Sequence, residues 1–438
     1  MAVSTLEVSQ PPERADLPFR QVLAVASGNA LEFYDFLTFS FFAIQIGHAF
    51  FPQEQTSHGL LYSLATFGVG FVTRPLGGVV IGSYGDRAGR RAAMMLSFTL
   101  MGFAILGLAM TPSYAEIGIG APILLLIFRL LQGFALGGEV GPSTAFLLEA
   151  APPHRRGLYV AFQSASQGLA ILIAGVVGFI LSRSVSPAAL DAWGWRVAFL
   201  IGAAVIPVGL YLRRSLPETL HQHERVTASL VATRVPARFV FLSLMVLGAM
   251  TIATYVRSYM TTYAQDSLKL AASIAFGATI INGLCGVFAC PLSGLISDRI
   301  GRKPVMLVAV CMLVVLAVPS FIAMNQMPSV LVVFAATAAM STLGWVATVP
   351  ALAAITESLP RAVRSGALAI LYAVAIAVFG GSTQFIIKWL IDATGSPLAP
   401  AWYVSAALVI GGLAMLAMRE SAPCVLRSLV ADSPVEAS

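Results

Sequence analysis

The 438-residue chain is 58% hydrophobic and only 11% charged, with a mean hydropathy of +0.85, a balance that excludes a soluble domain dressed in charge. A net charge of +6 and a pI near 9.3 do not mark a nucleic-acid binder, because the basic residues fall in short bursts between apolar runs and not along one stripe. A spanning helix needs about 20 largely apolar residues, so the chain has room for roughly twelve.

Residues 1–21 carry Pro11, Pro12, Glu13 and Asp16 and no basic stretch leading into an apolar run, so no cleaved signal peptide is expected. Apolar runs near 22–46, 58–83, 92–111, 121–149, 157–182 and 195–212 predict a first six-helix bundle over 22–212. The polar stretch 213–238, with Arg213, Arg214, Glu218, His221 and Glu224, reads as a linker. Runs near 239–263, 272–296, 304–324, 329–356, 365–390 and 401–418 predict a second bundle over 239–418, and 419–438 form a tail. The fold class is therefore all-α integral membrane, with twelve transmembrane helices in two pseudo-symmetric bundles. Most of the Lys and Arg gather at alternate loops (Arg87, Arg90 and Arg91; Arg155 and Arg156; Arg299, Arg302 and Lys303; Arg361 and Arg364), which places both termini and the linker in the cytoplasm. Cys285, Cys290, Cys311 and Cys424 have no zinc-type or redox spacing and read as free thiols, and no cofactor or metal is implied.

A ten-residue string recurs at the equivalent loop of each half: Gly82-Ser-Tyr-Gly-Asp86-Arg87-Ala-Gly89-Arg90-Arg91 and Gly294-Leu-Ile-Ser-Asp298-Arg299-Ile-Gly301-Arg302-Lys303. Gly82 and Gly294 allow close helix approach, Gly89 and Gly301 a tight turn, and Asp86 and Asp298 can cap or pair across the inner face. The string resembles the signature of the major facilitator superfamily. That resemblance implies a gating role for these residues, locking the cytoplasmic side, and not substrate binding.

A narrower resemblance rests on Gly28-Asn29-Ala-Leu-Glu32-Phe-Tyr-Asp35-Phe36, Arg74-Pro-Leu-Gly, Arg129-Leu-Leu-Gln132-Gly133 with Glu139, and Trp193-Gly-Trp-Arg196. These resemble the metabolite:proton symporter family. Gln163-Ser-Ala-Ser-Gln167 and Leu212-Arg-Arg-Ser-Leu-Pro-Glu-Thr219 most resemble its citrate and tricarballylate branch. Asn29, Gln163 and Gln167 are implied as ligands for substrate oxygens, although glutamines at this spacing also serve as glue between helices.

Ionisable residues inside a membrane helix are costly and mark function by default. Glu32 and Asp35 stand i,i+3 on the first helix and share a face, as proton carriers or as ion partners of Arg129 or Arg74. On a straight fourth helix Arg129, Gln132, Glu139 and Ser143 fall within an arc of about 80°, a polar stripe in which Arg129 suits a carboxylate substrate and Glu139 carries a proton or answers Arg129. The family resemblance links this motif to proton transfer. On the seventh helix Thr251, Tyr255, Tyr259 and Thr262 form another stripe, for packing or substrate contact, and Asn282 on the eighth is a further candidate ligand. Arg257 departs from the branch pattern: it is a second anion anchor or a partner at a helix interface, and on a straight helix it points about 160° from Tyr259. Arg74, beside Pro75, is expected to snorkel to the inner surface in a structural role. Glu149, Glu357, Arg361 and Arg364 resemble gating charges of the family, Gly380-Gly381 a packing or flexing point, and His48 and His58 solvated outer residues.

The functional expectation is a proton-coupled symporter in the bacterial inner membrane, acting as a monomer and importing a tricarboxylate such as citrate or tricarballylate. A dicarboxylate, a shikimate-like acid or a zwitterionic osmolyte are the alternatives on the same fold. The short tail after Arg419, broken by Pro423 and Pro434, disfavours the osmolyte option. A non-transporting receptor would need an appended signalling domain and an enzyme a nucleophile elbow, metal motif or phosphate loop, and the sequence is expected to carry none of these.

Overall fold

The computed structural model describes residues 19–52, 56–88, 90–137, 140–214, 235–360 and 363–426. The side chains of Glu32, His58, Asp86, Arg87, Arg90 and Arg91, together with residues Gly89, Glu139, Arg361 and most of the expected linker, lie outside the described residues, and Gly82 is described only as part of a helix.

The described helices assort into twelve segments. In the first half these are α1 (Phe19–Phe41, continued by Ala43–Phe50), α2 (Thr56–Val69 and Arg74–Ala88), α3 (Arg90–Met110), α4 (Gly120–Leu136 and Val140–Ala150), α5 (Arg156–Ser184) and α6 (Trp195–Arg214). In the second they are α7 (Ala237–Asp266), α8 (Ala272–Ile300), α9 (Arg302–Gln326), α10 (Val330–Ser358), α11 (Arg364–Ala375, a π-helical turn Ile376–Gly380, then Gly381–Thr394) and α12 (Ala399–Ala417). Helices are the form expected where no water can satisfy the backbone. Large apolar side chains such as Val308, Met312 and Val315 on α9, and Leu413 and Leu416 on α12, stay exposed, as a lipid-facing surface requires. The chain is a multi-pass membrane protein.

The most extensive helix contact joins the halves, α5 running antiparallel to α8. Small residues set its closeness: a Cβ on Gly168 would sit 2.8 Å from the Gly286 backbone. Prolines inside helices leave carbonyls to be satisfied from elsewhere. Pro350 in α10 cannot donate to Val346, and the Ser293 hydroxyl of α8 donates to that oxygen at 2.7 Å.

Three departures from the sequence expectation bear on the site. First, α2 is interrupted at Gly70–Thr73, where Thr73 Oγ1 donates to the Leu130 carbonyl at 2.6 Å, and Pro75 follows the restart at Arg74, where a proline is well accommodated. The break turns Arg74 inward: it is 5% exposed, with its guanidinium 4.4 Å from the Phe36 ring centroid and 4.6 Å from that of Phe71, so it does not snorkel. Second, the first piece of α4 closes on a tighter turn at Gly137, whose N–H donates to the Phe134 carbonyl at 3.3 Å, while Glu139 of the expected stripe lies outside the described residues. Third, the repeated string does not follow its helix in the second half but ends it. Asp298 lies in the last turn of α8, and Gly301, at φ 107°, makes the turn into α9.

Candidate functional site

Helices α1, α2 and α4 bring the first-half charges together. Gln132 Nε2 donates to Asp35 Oδ2 at 2.8 Å, and Gln132 Oε1 accepts from Arg129 Nη1 at 2.7 Å, so one amide bridges the carboxylate and the guanidinium. Arg129 Nη2 also donates to the Phe67 carbonyl at 3.2 Å. Asp35, Gln132 and Arg129 are all buried, Arg129 and Gln132 completely. Among the described residues Asp35 Oδ1 and Arg129 Nε have no partner. The polar chain is wrapped in rings: the Arg129 guanidinium lies 4.6, 4.4 and 5.1 Å from the centroids of Phe36, Phe39 and Phe67, and Arg74 shares Phe36 with it. Ring faces attract cations and offer no competing acceptor, so the guanidiniums are held without being neutralised.

Two polar groups expected from α1 and α5 also meet. Asn29 Nδ2 donates to Ser166 Oγ at 2.7 Å and to the Gln163 carbonyl at 3.2 Å. The Gln163 side-chain amide, 1% exposed, has no partner among the described residues. The Gln167 side chain lies beside Tyr372 of α11, across the halves.

The α7 stripe divides by role. Tyr255 turns to the first half and meets Phe67 and Phe71 edge-on, with centroids 5.9 and 5.5 Å apart. Tyr259 is fully buried, and its hydroxyl has no partner among the described residues. Arg257 points to α10 and stands 5.2 Å from the Trp345 ring centroid. Asn282 of α8 accepts from Trp345 Nε1 at 3.2 Å through both its carbonyl and Oδ1. Residue types and spacing did not single out Trp345 or the Phe36–Phe39–Phe67–Phe71 box. The run Phe33-Tyr-Asp-Phe36-Leu-Thr-Phe39, with aromatics at i,i+3 around Asp35, is the signal that could have found the box.

The charges of the second repeated string lie at the basic-loop end. Asp298 accepts from the backbone N–H of Gly157 and Leu158 on α5 at 2.8 and 2.9 Å, and from Arg302 at 2.8 Å. Arg302 also pairs with Glu357 at 3.0 Å, while Arg364 of α11 reaches Glu149 of α4 at 3.1 Å. Arg299 is exposed. After α12, Glu420 accepts from the backbone N–H of Arg302, Lys303, Ser421 and Ala422. Burial pushes its carboxyl up, but those four donors outweigh it and hold Glu420 below the ordinary carboxylate range. At the other end Gln384 of α11 donates to Ser40 of α1 at 2.6 Å, and a Cβ on Gly381 would sit 2.8 Å from the Gly68 carbonyl oxygen. His48 is not simply solvated: its Nδ1 lies 3.1 Å from Asp191.

The sequence profile of the Major Facilitator Superfamily matches residues 28–382. A citrate-proton symporter of Klebsiella pneumoniae is 35% identical over 90% of this chain and 90% of its own. One of Salmonella typhi is 37% identical over 92% of this chain and 95% of its own. The alpha-ketoglutarate permease of Escherichia coli (strain K12) is 34% identical over 95% of this chain and 98% of its own. In fold, the chain is similar to the proton:xylose symporter XylE bound to 6-bromo-6-deoxy-D-glucose, with a TM-score of 0.75 at 20% identity, covering 94% of this chain and 98% of that one.

Proposed function

Because this chain belongs to the major facilitator superfamily, we propose that it is a proton-coupled symporter importing a tricarboxylate such as citrate or tricarballylate by alternating access. The observation that carries the reading is the buried Asp35–Gln132–Arg129 chain, a carboxylate and a guanidinium kept apart by one amide. Arg129 supplies forked donors for a substrate carboxylate. Asp35 Oδ1 is the place for the proton. With Asp35 ionised, Gln132 ties Arg129 to the carboxylate's field. With Asp35 protonated, that field disappears and Arg129 is left to the incoming anion, so proton and anion bind together and the loaded carrier crosses with less net charge.

Glu32 and Glu139 are further proton-coupling residues in this reading. Asn29, Gln163, Gln167, Tyr255, Tyr259 and Asn282 contact substrate oxygens. Gly82, Asp86, Arg87, Gly89, Arg90 and Arg91, with Asp298, Arg299, Gly301 and Arg302, gate the basic-loop end, which faces the cytoplasm together with both termini. The protein works as a monomer in the bacterial inner membrane, its two bundles 22–212 and 239–418 joined by the linker 213–238.

Uptake of radiolabelled citrate into proteoliposomes, with and without an inward proton gradient, tests this reading. The wild type accumulates citrate only with the gradient, and Asp35→Asn and Arg129→Ala abolish accumulation. Uptake indifferent to the gradient sinks proton coupling. A second reading, dicarboxylate import, is favoured by the similarity to the alpha-ketoglutarate permease along nearly all of both chains. It wins if that acid accumulates and citrate does not.

A further inference from the structure

Among the described residues Arg257 is an arginine without an acid. It is 3% exposed; its Nη2 donates to Thr254 Oγ1 at 3.0 Å, while Nε and Nη1 have no partner among the described residues. Every described carboxylate of the second half is engaged elsewhere. Asp266 and Asp392 hold Lys388, Asp298 and Glu357 hold Arg302, and Glu420 takes backbone N–H groups. A buried cation with open donors and no counter-ion is costly unless an anion arrives to answer it.

The surroundings are built for that cation. The Trp345 ring lies beneath the guanidinium, its N–H is taken by Asn282, and Trp345 belongs to the same buried apolar cluster as Phe36 and Phe67 of the first half, so this place borders the interface between the bundles. With its Oδ1 engaged by the indole, Asn282 has its NH2 as the donor left for a ligand oxygen. Bringing Glu149 of α4 and Glu357 of α10 into register puts Trp345 where the first half has Gly137. Gly137 lies against the Arg74 carbonyl and Gly78 of α2; Trp345 lies against Gly286 of α8. One crossing is filled by backbone, and its counterpart by an indole that carries a cation.

We infer that Arg257, Asn282 and Trp345 form a second carboxylate subsite, separate from Arg129, which selects substrates bearing an additional carboxylate, with Trp345 as the positioning residue. This rests on the carboxylate-symport reading and sharpens it: Arg129 takes one end of the substrate, and Arg257 takes the group that distinguishes a tricarboxylate from a dicarboxylate.

The test compares tricarballylate with glutarate, which is the same chain without the central carboxylate, in proteoliposomes. The wild type prefers tricarballylate in kcat/KM. Arg257→Gln and Trp345→Leu lower that preference by roughly tenfold or more, the scale of losing a charged partner for a carboxylate. Trp345→Phe, which keeps a ring but loses the N–H, lowers it by less. A preference that stays within about twofold of wild type in Arg257→Gln, whatever happens to the overall rate, overturns the subsite, and so does a wild type with no preference. If the wild type transports neither acid, the symport reading fails on its own and thermal unfolding of the purified protein decides the subsite. Tricarballylate then raises the wild-type Tm more than glutarate does, and Arg257→Gln erases the difference; equal shifts in the wild type overturn it.

Discussion

The two ends of the interface between the bundles are closed by different chemistry. At the basic-loop end the halves meet through ions: Asp298 on the N–H groups of Gly157 and Leu158, backed by Arg302 and Glu357, and Arg364 on Glu149. At the other end they meet through shape, with Gly68 and Gly381 in backbone contact, the Gln384–Ser40 hydrogen bond, and Tyr255 against Phe67 and Phe71. An ionic closure is strong while its members are dry and weakens once water or a proton reaches them. A closure made by glycines has little chemistry to lose, and any added side chain spoils it. The difference predicts which substitutions each end tolerates.

The largest effect belongs to Asp298→Asn. Arg302 and Asp298 are both nearly fully buried, and breaking a buried pair costs about 3–5 kcal/mol. The basic-loop end should therefore stand open, seen as a longer spin-label distance across that end; an unchanged distance distribution would remove the ionic account. Next comes Gly68→Leu. The overpacking penalty of about 1–3 kcal/mol falls on the closed form of the other end, so uptake slows by roughly 10- to 100-fold while the protein still inserts. Wild-type uptake in that variant would mean the glycine contact is incidental. The smallest effect concerns Glu420→Gln, under about 1 kcal/mol because the group is partly solvated. The folded-state pKa of Glu420 is depressed, so its contribution is complete above the ordinary carboxylate range and fades as pH falls through that range to the lower folded value. The Tm difference between wild type and Glu420→Gln should shrink on acidification, and a difference constant with pH would show that the carboxylate charge is not its source.

Much of this was legible in the residues. Twelve apolar runs and a string repeated in both halves determine the fold, because a helix in lipid has few alternatives. Asp35, Arg129 and Gln132 stood out as polar groups where lipid should be. Their arrangement was legible only in part: Asp35 is expected opposite Arg129 or Arg74, and the structure puts the Gln132 amide between Asp35 and Arg129. Arg74 was misread because snorkelling assumes an unbroken helix, and the interruption at Gly70–Thr73 redirects it toward Phe36. Trp345 was silent because an indole in an apolar run signals nothing until Asn282, 63 residues earlier, supplies its acceptor.

The Ser293 hydroxyl on the Val346 carbonyl ties two substitutions into one event. Ser293→Ala alone strands an oxygen inside the protein, and Pro350→Ala alone returns that oxygen to its own helix and leaves a hydroxyl idle. Either change is tolerable beside the other and costly without it. Serine at 293 and proline at 350 should therefore be kept or lost as a unit when relatives of this carrier diverge.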